Sequence, residues 1–317
     1  MLYILFVLGF IILIKGADLL VSGSSAIAKK FNIPDLVIGL TIVAFGTSAP
    51  ELFVNVSASL KGNTDIAVGN IIGSNIANIL LILGVSAMIY PLTVKSTTVW
   101  KEIPFSLLAA LVTGILANDI ILDGRTISEI SRGDGLILLA FFLIFLYYIF
   151  SISKNSDAPA LENLKPMTSL KSGVFIALGL GMLVLGGTWI INGAREIAGN
   201  FGVSEYLIGL TVVSVGTSLP ELATSAVAAY KKNTDIAIGN VVGSNIFNVF
   251  WILGVSAVIN PLPFEQSGNF DLMTAVLASV LLMASLFIGK RHILEKWQGA
   301  IFLMFYVAYL TYIVLRG

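Results

Sequence analysis

One segment of the amino-acid sequence occurs twice, 170 residues apart and without a gap. GLTIVAFGTSAPEL (39–52) recurs as GLTVVSVGTSLPEL (209–222), and KGNTDIAVGNIIGSNIANILLILGVSAMIYPL (61–92) recurs as KKNTDIAIGNVVGSNIFNVFWILGVSAVINPL (231–262). About 34 of the 59 positions from 34 to 92 match their partners, far more than chance gives for two apolar segments. The chain is therefore expected to fold as two related halves.

Both copies lie in long apolar stretches, and the composition extends this character to the whole chain. The sequence is 57% hydrophobic and 11% charged, whereas soluble domains carry about 25% charged residues. This composition predicts an integral membrane protein, surrounded by the lipid bilayer. The formal net charge is zero, which gives no indication of nucleic acid as a partner, and no protein partner is indicated. The chain has no cysteine, which excludes disulfides and thiolate metal sites.

Ten stretches are long and apolar enough to cross a membrane, which takes about 20 residues per helix. The fold class predicted is an all-α integral membrane protein with ten transmembrane helices. The predicted spans lie near 2–28, 36–60, 66–92, 102–118, 134–152, 170–194, 206–230, 236–262, 271–289 and 297–315.

The repeat and the span count together predict an inverted topology. Five spans separate each residue from its partner, and because five is odd the second copy crosses in the opposite direction. The first half is 1–152 (spans one to five), the linker is 153–169, and the second half is 170–317 (spans six to ten). A duplicated bundle with no transport role has the same symmetry, but the best-matched positions are polar, which a bundle would not need.

The basic residues predict the orientation. Loops opposite the N-terminus hold about 12 lysines and arginines, and loops on its own side hold about five. Since cytoplasmic loops carry the excess, both termini are predicted outside, the linker is predicted cytoplasmic, and the location is the plasma (inner) membrane with multiple passes.

Two glutamates, Glu51 and Glu221, occupy the centres of spans two and seven. An ionised carboxylate at that depth is costly unless it faces a partner or a cavity, and spans two, three, seven and eight contain no basic residue. The partner is then a proton or a bound cation. A protonated glutamic acid that only joins helices is the simpler alternative for one such residue, but not for two at matched positions.

Each glutamate follows Gly-Thr-Ser-x-Pro, which predicts a broken helix. Thr47, Ser48 and Glu51 share one helical face, and Pro50 lacks an N–H and crowds the carbonyl of Gly46. We expect Gly46 to allow the bend, and carbonyls such as that of Ala44 to be released for an ion. The second copy offers the same set. Its members are Ser214, Gly216, Thr217, Ser218, Pro220 and Glu221.

Spans three and eight supply a second set of polar groups. Ser74 and Asn78 lie at i and i+4, as do Ser244 and Asn248, while Asn75 and Asn245 fall on a different side of the same helices. Helix–helix hydrogen bonding is the alternative role for each of these side chains. The glycines of the same segments have small-xxx-small spacing, which brings helices close together.

The donor set predicts a hard cation. Two carboxylates, hydroxyls, amide oxygens and carbonyls fit calcium, which takes six to eight oxygens. Two glutamates match the charge of one divalent ion, and without calcium the same charges must be met by sodium ions or protons. No cofactor is indicated, so the ions are cargo.

GTS-x-PE followed by GN-x-x-GSN-x-x-N, present in both halves, resembles the paired alpha repeats of the calcium/cation antiporter superfamily, and most of all its prokaryotic sodium/calcium exchangers. The resemblance covers essentially the whole chain. It implies exchange of calcium for sodium by alternating access, with spans one and six sliding against the other eight. It also implies twelve ion ligands, Ala44 and Ser214 through their carbonyls and both glutamates shared by the two ions. These residues are Ala44, Thr47, Ser48, Glu51, Ser74, Asn78, Ser214, Thr217, Ser218, Glu221, Ser244 and Asn248.

One departure from the family pattern leaves the coupling ion open. Many sodium/calcium exchangers carry aspartate at the position of Asn248, and calcium/proton members of the superfamily often carry asparagine there. The proton-coupled members, however, have a GNAxE-like motif where this chain has GTSxPE. The sequence therefore favours sodium, with calcium/proton antiport as the alternative.

Two other classes of membrane protein, a channel and an enzyme, were compared with the sequence. A passive cation channel would show the same symmetric acids but no obligatory exchange. A membrane enzyme is not predicted, since the chain has no HExxH or GxGD-type motif.

Lys15 and Asp18 lie inside span one at i and i+3, where they can pair with each other or act in gating.

Overall fold

The computed structural model describes residues 2–62, 64–154, 167–200 and 214–316. Almost all of these residues are helical. The α-helices are α1 (Leu2–Phe31), α2 (Asp35–Ile38), α3 (Ala44–Thr47), α4 (Ala49–Lys61), α5 (Thr64–Ala77), α6 (Gly84–Ile89), α7 (Ser96–Trp100), α8 (Glu102–Leu116), α9 (Asp119–Asp123), α10 (Arg132–Lys154), α11 (Ser169–Asn200), α12 (Ser214–Thr217), α13 (Leu219–Tyr230), α14 (Thr234–Ile246), α15 (Gly254–Ile259), α16 (Asn269–Ser285) and α17 (Lys296–Arg316).

The described residues contain eight helices long and apolar enough to cross a membrane, or nine when one bent pair counts as a single span. Each coincides with a predicted stretch, so a helical, multi-span architecture is confirmed. The predicted span at 206–230 begins outside the described residues, which resume at Ser214, and the predicted linker 153–169 lies mostly outside them.

Two long helical segments form the centre of the molecule. The segments Ala67–Ile89 and Thr234–Ile259 are each 78% buried over their most apolar window, whereas the six other unbent spans are 22–39% buried. These two segments are the second part of the sequence repeat. The outer helices expose large apolar side chains such as Tyr147, Leu170 and Met304, as a lipid-facing surface requires.

Three stretches of π-helix interrupt the described spans, and two of them lie at matched places in the repeat. Asn78–Leu83 continues α5, Phe247–Leu253 continues α14, and Gly39–Val43 joins α2 to α3. Such wide turns are rare and occur often at functional sites. The first begins at Asn78, the second begins next to Asn248, and the third ends directly before Ala44.

Two short antiparallel sheets connect the halves. The strand β1 (Leu92–Thr93) pairs with β4 (Ile293–Leu294), and β2 (Glu129–Ile130) pairs with β3 (Leu262–Pro263). Each sheet takes one strand from the first half of the sequence and one from the second. The sheets thereby connect the end of α6 to the start of α17, and the end of α15 to the start of α10.

Helices α1 and α11 pack against each other along matched glycines. A Cβ at Gly16 would lie 2.9 Å from the carbonyl oxygen of Gly179, and one at Gly186 would lie 2.8 Å from that of Gly9. Residue numbers rise along one helix as they fall along the other, so the two helices are antiparallel. We call the contact formed by Gly9, Gly16, Gly179 and Gly186 the glycine seam. Backbone meets backbone there, which makes the two helices one tightly packed pair.

The glycine seam should be intolerant of larger residues. We expect Gly179→Leu to destabilise the protein by about 3 kcal/mol, because its Cβ would lie 2.7 Å from Leu20 N, a backbone atom that cannot rotate away. Gly181→Leu, on the same helix with nothing within 4 Å of its Cβ, is the matched control and should be tolerated. The midpoint of thermal unfolding in detergent measures the stability of both variants. Equal midpoints would contradict close backbone packing at the glycine seam.

Candidate ion-binding site

The two glutamates that the sequence singles out are buried at the start of matched helices. Glu51 lies in the first turn of α4 and Glu221 in the first turn of α13, and each side chain is 1% exposed. Neither has an ion-pair partner among the described residues. In each carboxylate, Oε2 accepts no hydrogen bond from the described part of the chain.

Hydrogen bonds to the other carboxylate oxygens cross between the two copies of the repeat. Ser48 donates to Oε1 of Glu221 at 2.8 Å, and its Oγ lies 3.0 Å from Oγ of Ser244. In the matched arrangement, Ser218 Oγ lies 3.5 Å from Oε1 of Glu51 and 3.4 Å from Oγ of Ser74. Each half therefore supplies hydroxyls to the carboxylate of the other half, and the six residues form one site.

Small residues allow the helices to approach this closely. A Cβ at Gly243 would lie 2.8 Å from that of Ala44 and 2.9 Å from the Leu40 backbone. Any larger residue there would push α14 away from α3. Because Gly243 directly precedes Ser244, this close approach is what brings the Ser244 hydroxyl to Ser48.

The helix breaks where it was predicted to, but for reasons that differ in part. The bend of 47° falls at Ser48, between α3 and α4, with Pro50 in the first turn of α4. Gly46 has ordinary helical backbone, and it is buried against α11, where a Cβ would overlap the side chain of Leu180. The prediction that glycine is needed there for bending was therefore wrong, since the requirement is for space. Gly216 meets Ile191 of α11 in the same way.

The expected release of the Ala44 carbonyl was also wrong. Its oxygen accepts the backbone N–H of Ser48 at 3.0 Å, because the turn closes before the proline interrupts it. The Thr47 hydroxyl lies 3.3 Å from the same oxygen, so the second lone pair of the Ala44 carbonyl is available to an ion while Thr47 donates to Val43 O or to Asn240 Oδ1. Ser214, the matched residue, begins α12, and its side chain lies outside the described residues.

Thr47 and Thr217 are buried beside the breaks. The Thr47 hydroxyl lies 3.0 Å from both Val43 O and Asn240 Oδ1. Asn240 also donates to Ser225 at 2.9 Å and to the Glu221 carbonyl at 3.3 Å. Asn240 was not among the predicted ligands, although it stands in a Gly-Asn pair that occurs in both copies of the repeat.

Within the described part of the chain, the side-chain hydrogen bonds of Asn78 and Asn248 go to asparagines, and none goes to a glutamate. Asn78 donates from Nδ2 to Oδ1 of Asn245 at 2.9 Å, and Asn248 donates in the same way to Asn75 at 2.9 Å. Asn75 and Asn245, predicted on a different side of their own helices from the ligand asparagines, thus meet the ligand asparagines of the opposite helix. Spacing along one helix could not indicate this contact, because it is made between helices.

The arrangement is chemically suited to a cation. Four buried side-chain oxygens of the predicted ligands accept no hydrogen bond from the described residues: Oε2 of each glutamate, and Oδ1 of Asn78 and of Asn248. A buried acceptor without a partner costs free energy that a bound cation would recover. Hydroxyls, amides and carboxylates are all hard oxygen ligands of the kind calcium and sodium take.

The charged pair in α1 differs from the predicted one. Asp18 does not pair with Lys15 but forms an ion pair with Lys231 at 2.6 Å, and Lys231 also donates to Ser22 at 2.8 Å. Lys231 lies in the loop after α13, so this contact joins α1 to the rest of the protein. Periodicity along one helix could not have indicated a partner from another.

Comparisons with known proteins agree with this site and fold. The family described as sodium/calcium exchanger protein matches residues 1–151 and 171–315. The sodium/calcium exchanger MaX1 of Methanosarcina acetivorans is 31% identical, with 98% of this chain and 97% of that protein covered. The inner membrane protein YrbG of Escherichia coli is 36% identical over 86% of this chain and 85% of its own length. A structure of the sodium-calcium exchanger NCX_Mj, soaked with sodium and calcium, superposes with a TM-score of 0.82 at 34% identity, covering 97% of this chain and 96% of that one.

These matches span both halves of the chain. The protein is a member of the sodium/calcium exchanger family.

Proposed function

We propose that this protein is a secondary active antiporter that exchanges calcium for sodium across the membrane by alternating access. The observation that carries the proposal is the pair of buried glutamates, one from each copy of the repeat, that have no ion-pair partner among the described residues. Negative charges buried at membrane depth need a balancing positive charge, and in this proposal the transported cation supplies it.

The site holds two formal negative charges, which equal the charge of one calcium ion. With calcium gone, sodium ions or protons must take its place, so the two loads compete for the same carboxylates. The hydroxyls of Ser48 and Ser218 now donate to these carboxylates, and on ion binding they can rotate to offer lone pairs instead. The proposed ligand set is the twelve residues of the sequence prediction, with Ala44 and Ser214 acting through backbone oxygens.

For the architecture we propose ten transmembrane helices in two inverted five-helix repeats. The antiparallel packing of α1 on α11 supports it, since these are the first helices of the two halves. The glycine seam also supports movement of α1 and α11 as one pair against the other helices, four of which the two sheets connect. The positive-inside rule supports termini outside and a cytoplasmic linker in the inner membrane.

Sodium is proposed as the counter-ion because relatives covering nearly the whole chain are named sodium/calcium exchangers. Asn248 favours the alternative, a calcium/proton antiporter, since an amide adds no third negative charge to the site. A choice between the two requires a transport measurement.

Purified protein in sealed vesicles gives that measurement. We expect calcium uptake to follow an outward sodium gradient and to be unaffected by a pH gradient. Uptake driven by the pH gradient alone would assign calcium/proton exchange. Calcium uptake that needs neither counter-gradient would indicate a channel and would overturn the proposal.

A further inference from the structure

Four buried asparagines form a closed set of hydrogen bonds between α5 and α14, at the start of their π-helical continuations. Asn75 and Asn245 are 5% and 2% exposed, and Asn78 and Asn248 are each 1% exposed. They occupy matched positions in the two copies of the repeat.

The hydrogen bonds of this set are reciprocal. Asn248 donates to Oδ1 of Asn75 and Asn78 donates to Oδ1 of Asn245, both at 2.9 Å. Asn75 donates in turn to the backbone oxygen of Asn245 at 3.3 Å, and Asn245 donates to that of Asn75 at 3.5 Å. Backbone groups thus hold Asn75 and Asn245, and these two hold Asn248 and Asn78.

The pattern divides the amide oxygens into two kinds. Oδ1 of Asn75 and of Asn245 each accept a hydrogen bond, whereas Oδ1 of Asn78 and of Asn248 accept none from the described residues. The oxygens left available therefore belong to the two asparagines in the proposed ligand set.

The two sides of an amide side chain differ in their hydrogen-bonding groups. It presents an oxygen with two lone pairs on one side and an NH2 with two donors on the other, and rotation by half a turn exchanges them. Only the oxygen can bind a cation. A residue that fixes the NH2 on the far side therefore decides whether the asparagine attracts the ion or repels it.

We infer that Asn75 and Asn245 are positioning residues for ion binding: each holds the NH2 of a ligand asparagine, Asn248 or Asn78, so that its oxygen stays available to the transported cation. The inference rests on the proposed function, because it assumes that Asn78 and Asn248 bind the cargo. It also explains why asparagine at 248 is compatible with a cation site, since its partner supplies the correct orientation.

The test removes the acceptor and keeps the number and branching of the side-chain heavy atoms. In vesicles, Asn75→Leu should raise the calcium concentration for half-maximal uptake about tenfold, the effect of about one buried hydrogen bond, with the maximal rate largely kept. Asn75→Asp retains an acceptor for Asn248 but, like leucine, lacks the donor to the Asn245 backbone oxygen, so its half-saturating calcium concentration should stay well below that of Asn75→Leu. The control is Asn118→Leu. Asn118 is a buried asparagine, bonded to Asn269 at 2.8 Å and outside the site, so its loss should lower stability and leave half-saturation unchanged.

A double variant separates positioning from a purely structural role. If Asn75 acts through Asn248, then Asn75→Leu should cause no further change in half-saturation in an Asn248→Ala background. Independent effects would multiply, and that result would overturn the inference, as would an unchanged half-saturation in Asn75→Leu. Should Asn75→Leu fail to fold, Asn245→Leu and Asn75→Ala make the same comparison.

Failure of this inference can be distinguished from failure of the proposed function. The calcium concentration for half-maximal uptake is compared between variant and wild type under the gradient that drives wild-type uptake, whether of sodium or of protons. Proton coupling would therefore refute sodium exchange, but the comparison between variant and wild type would remain valid. Calcium binding to the purified variants by calorimetry needs no transport, and there Asn75→Leu should weaken binding about tenfold. Equal affinities of Asn75→Leu and wild type would overturn the inference even in a protein that transports nothing.

Discussion

Replacing either Glu51 or Glu221 by glutamine is expected to reduce calcium uptake at least about 100-fold, which is the scale of removing one partner from a buried charge interaction. Glutamine keeps the size and one acceptor oxygen but removes the negative charge. Because the two carboxylates lie in one hydrogen-bonded site, each variant should be nearly inactive by itself. Initial rates of sodium-driven calcium uptake in vesicles, normalised to incorporated protein, give the measurement.

Glu102→Gln is the matched control for this experiment. Glu102 is also 1% exposed and lies in an outer helix, where it accepts a hydrogen bond from Tyr148 that glutamine can accept as well. We expect this variant to retain uptake. Near-normal flux in Glu51→Gln or Glu221→Gln would refute a site shared by the two halves.

Joining α1 to the loop after α13 is expected to stop exchange. The chain has no cysteine, so Asp18→Cys with Lys231→Cys gives a single site for a short thiol cross-linker across what is now an ion pair. If α1 and α11 slide together against the rest, the cross-link holds them in one position and uptake falls to background. A cleavable cross-linker should restore uptake on reduction.

A second cysteine pair tests whether the two helices move together. Asn200 donates to the Tyr3 hydroxyl at 3.1 Å, so Tyr3→Cys with Asn200→Cys connects α1 to α11 themselves. Cross-linking this pair should leave exchange intact, because it joins parts that do not move relative to each other. Loss of uptake with this pair, or full uptake with the first, would contradict movement of the glycine-seam pair as a unit.

The sequence was sufficient to predict the helical membrane architecture and to select the buried polar residues. Both predictions depend on local quantities: the length of an apolar stretch, and the cost of a charge inside it. The recurrence at 170 residues did more, because it indicated that Glu51 and Glu221 belong together before any contact was known. The crossed hydrogen bonds of Ser48 and Ser218 are the contacts that this symmetry would require.

The remaining features depend on which helices are neighbours, and periodicity along one helix carries no such information. The contact of Gly46 with Leu180 of α11, which shows that the glycine is needed for space, cannot be seen in the local sequence. The hydrogen bond between Asn75 and Asn248 joins two helices, so the spacing along either helix does not indicate it. Asp18 was paired within its own helix because its partner, Lys231, lies 213 residues away.

That last contact occurs in only one of the two copies. The residues matched to Lys231 and Asp18 at an offset of 170 are Lys61 and Thr188, and threonine cannot form an ion pair. The ion pair is half-exposed, so it contributes at most about 1 kcal/mol, and only to a conformation in which α1 lies where it does now. Under the proposed alternating access, this contact shifts the ratio of the two states by up to about fivefold toward the present one. The protein should rest with one entrance open more often than the other, and half-saturation by the same ion should differ between the two faces of the membrane.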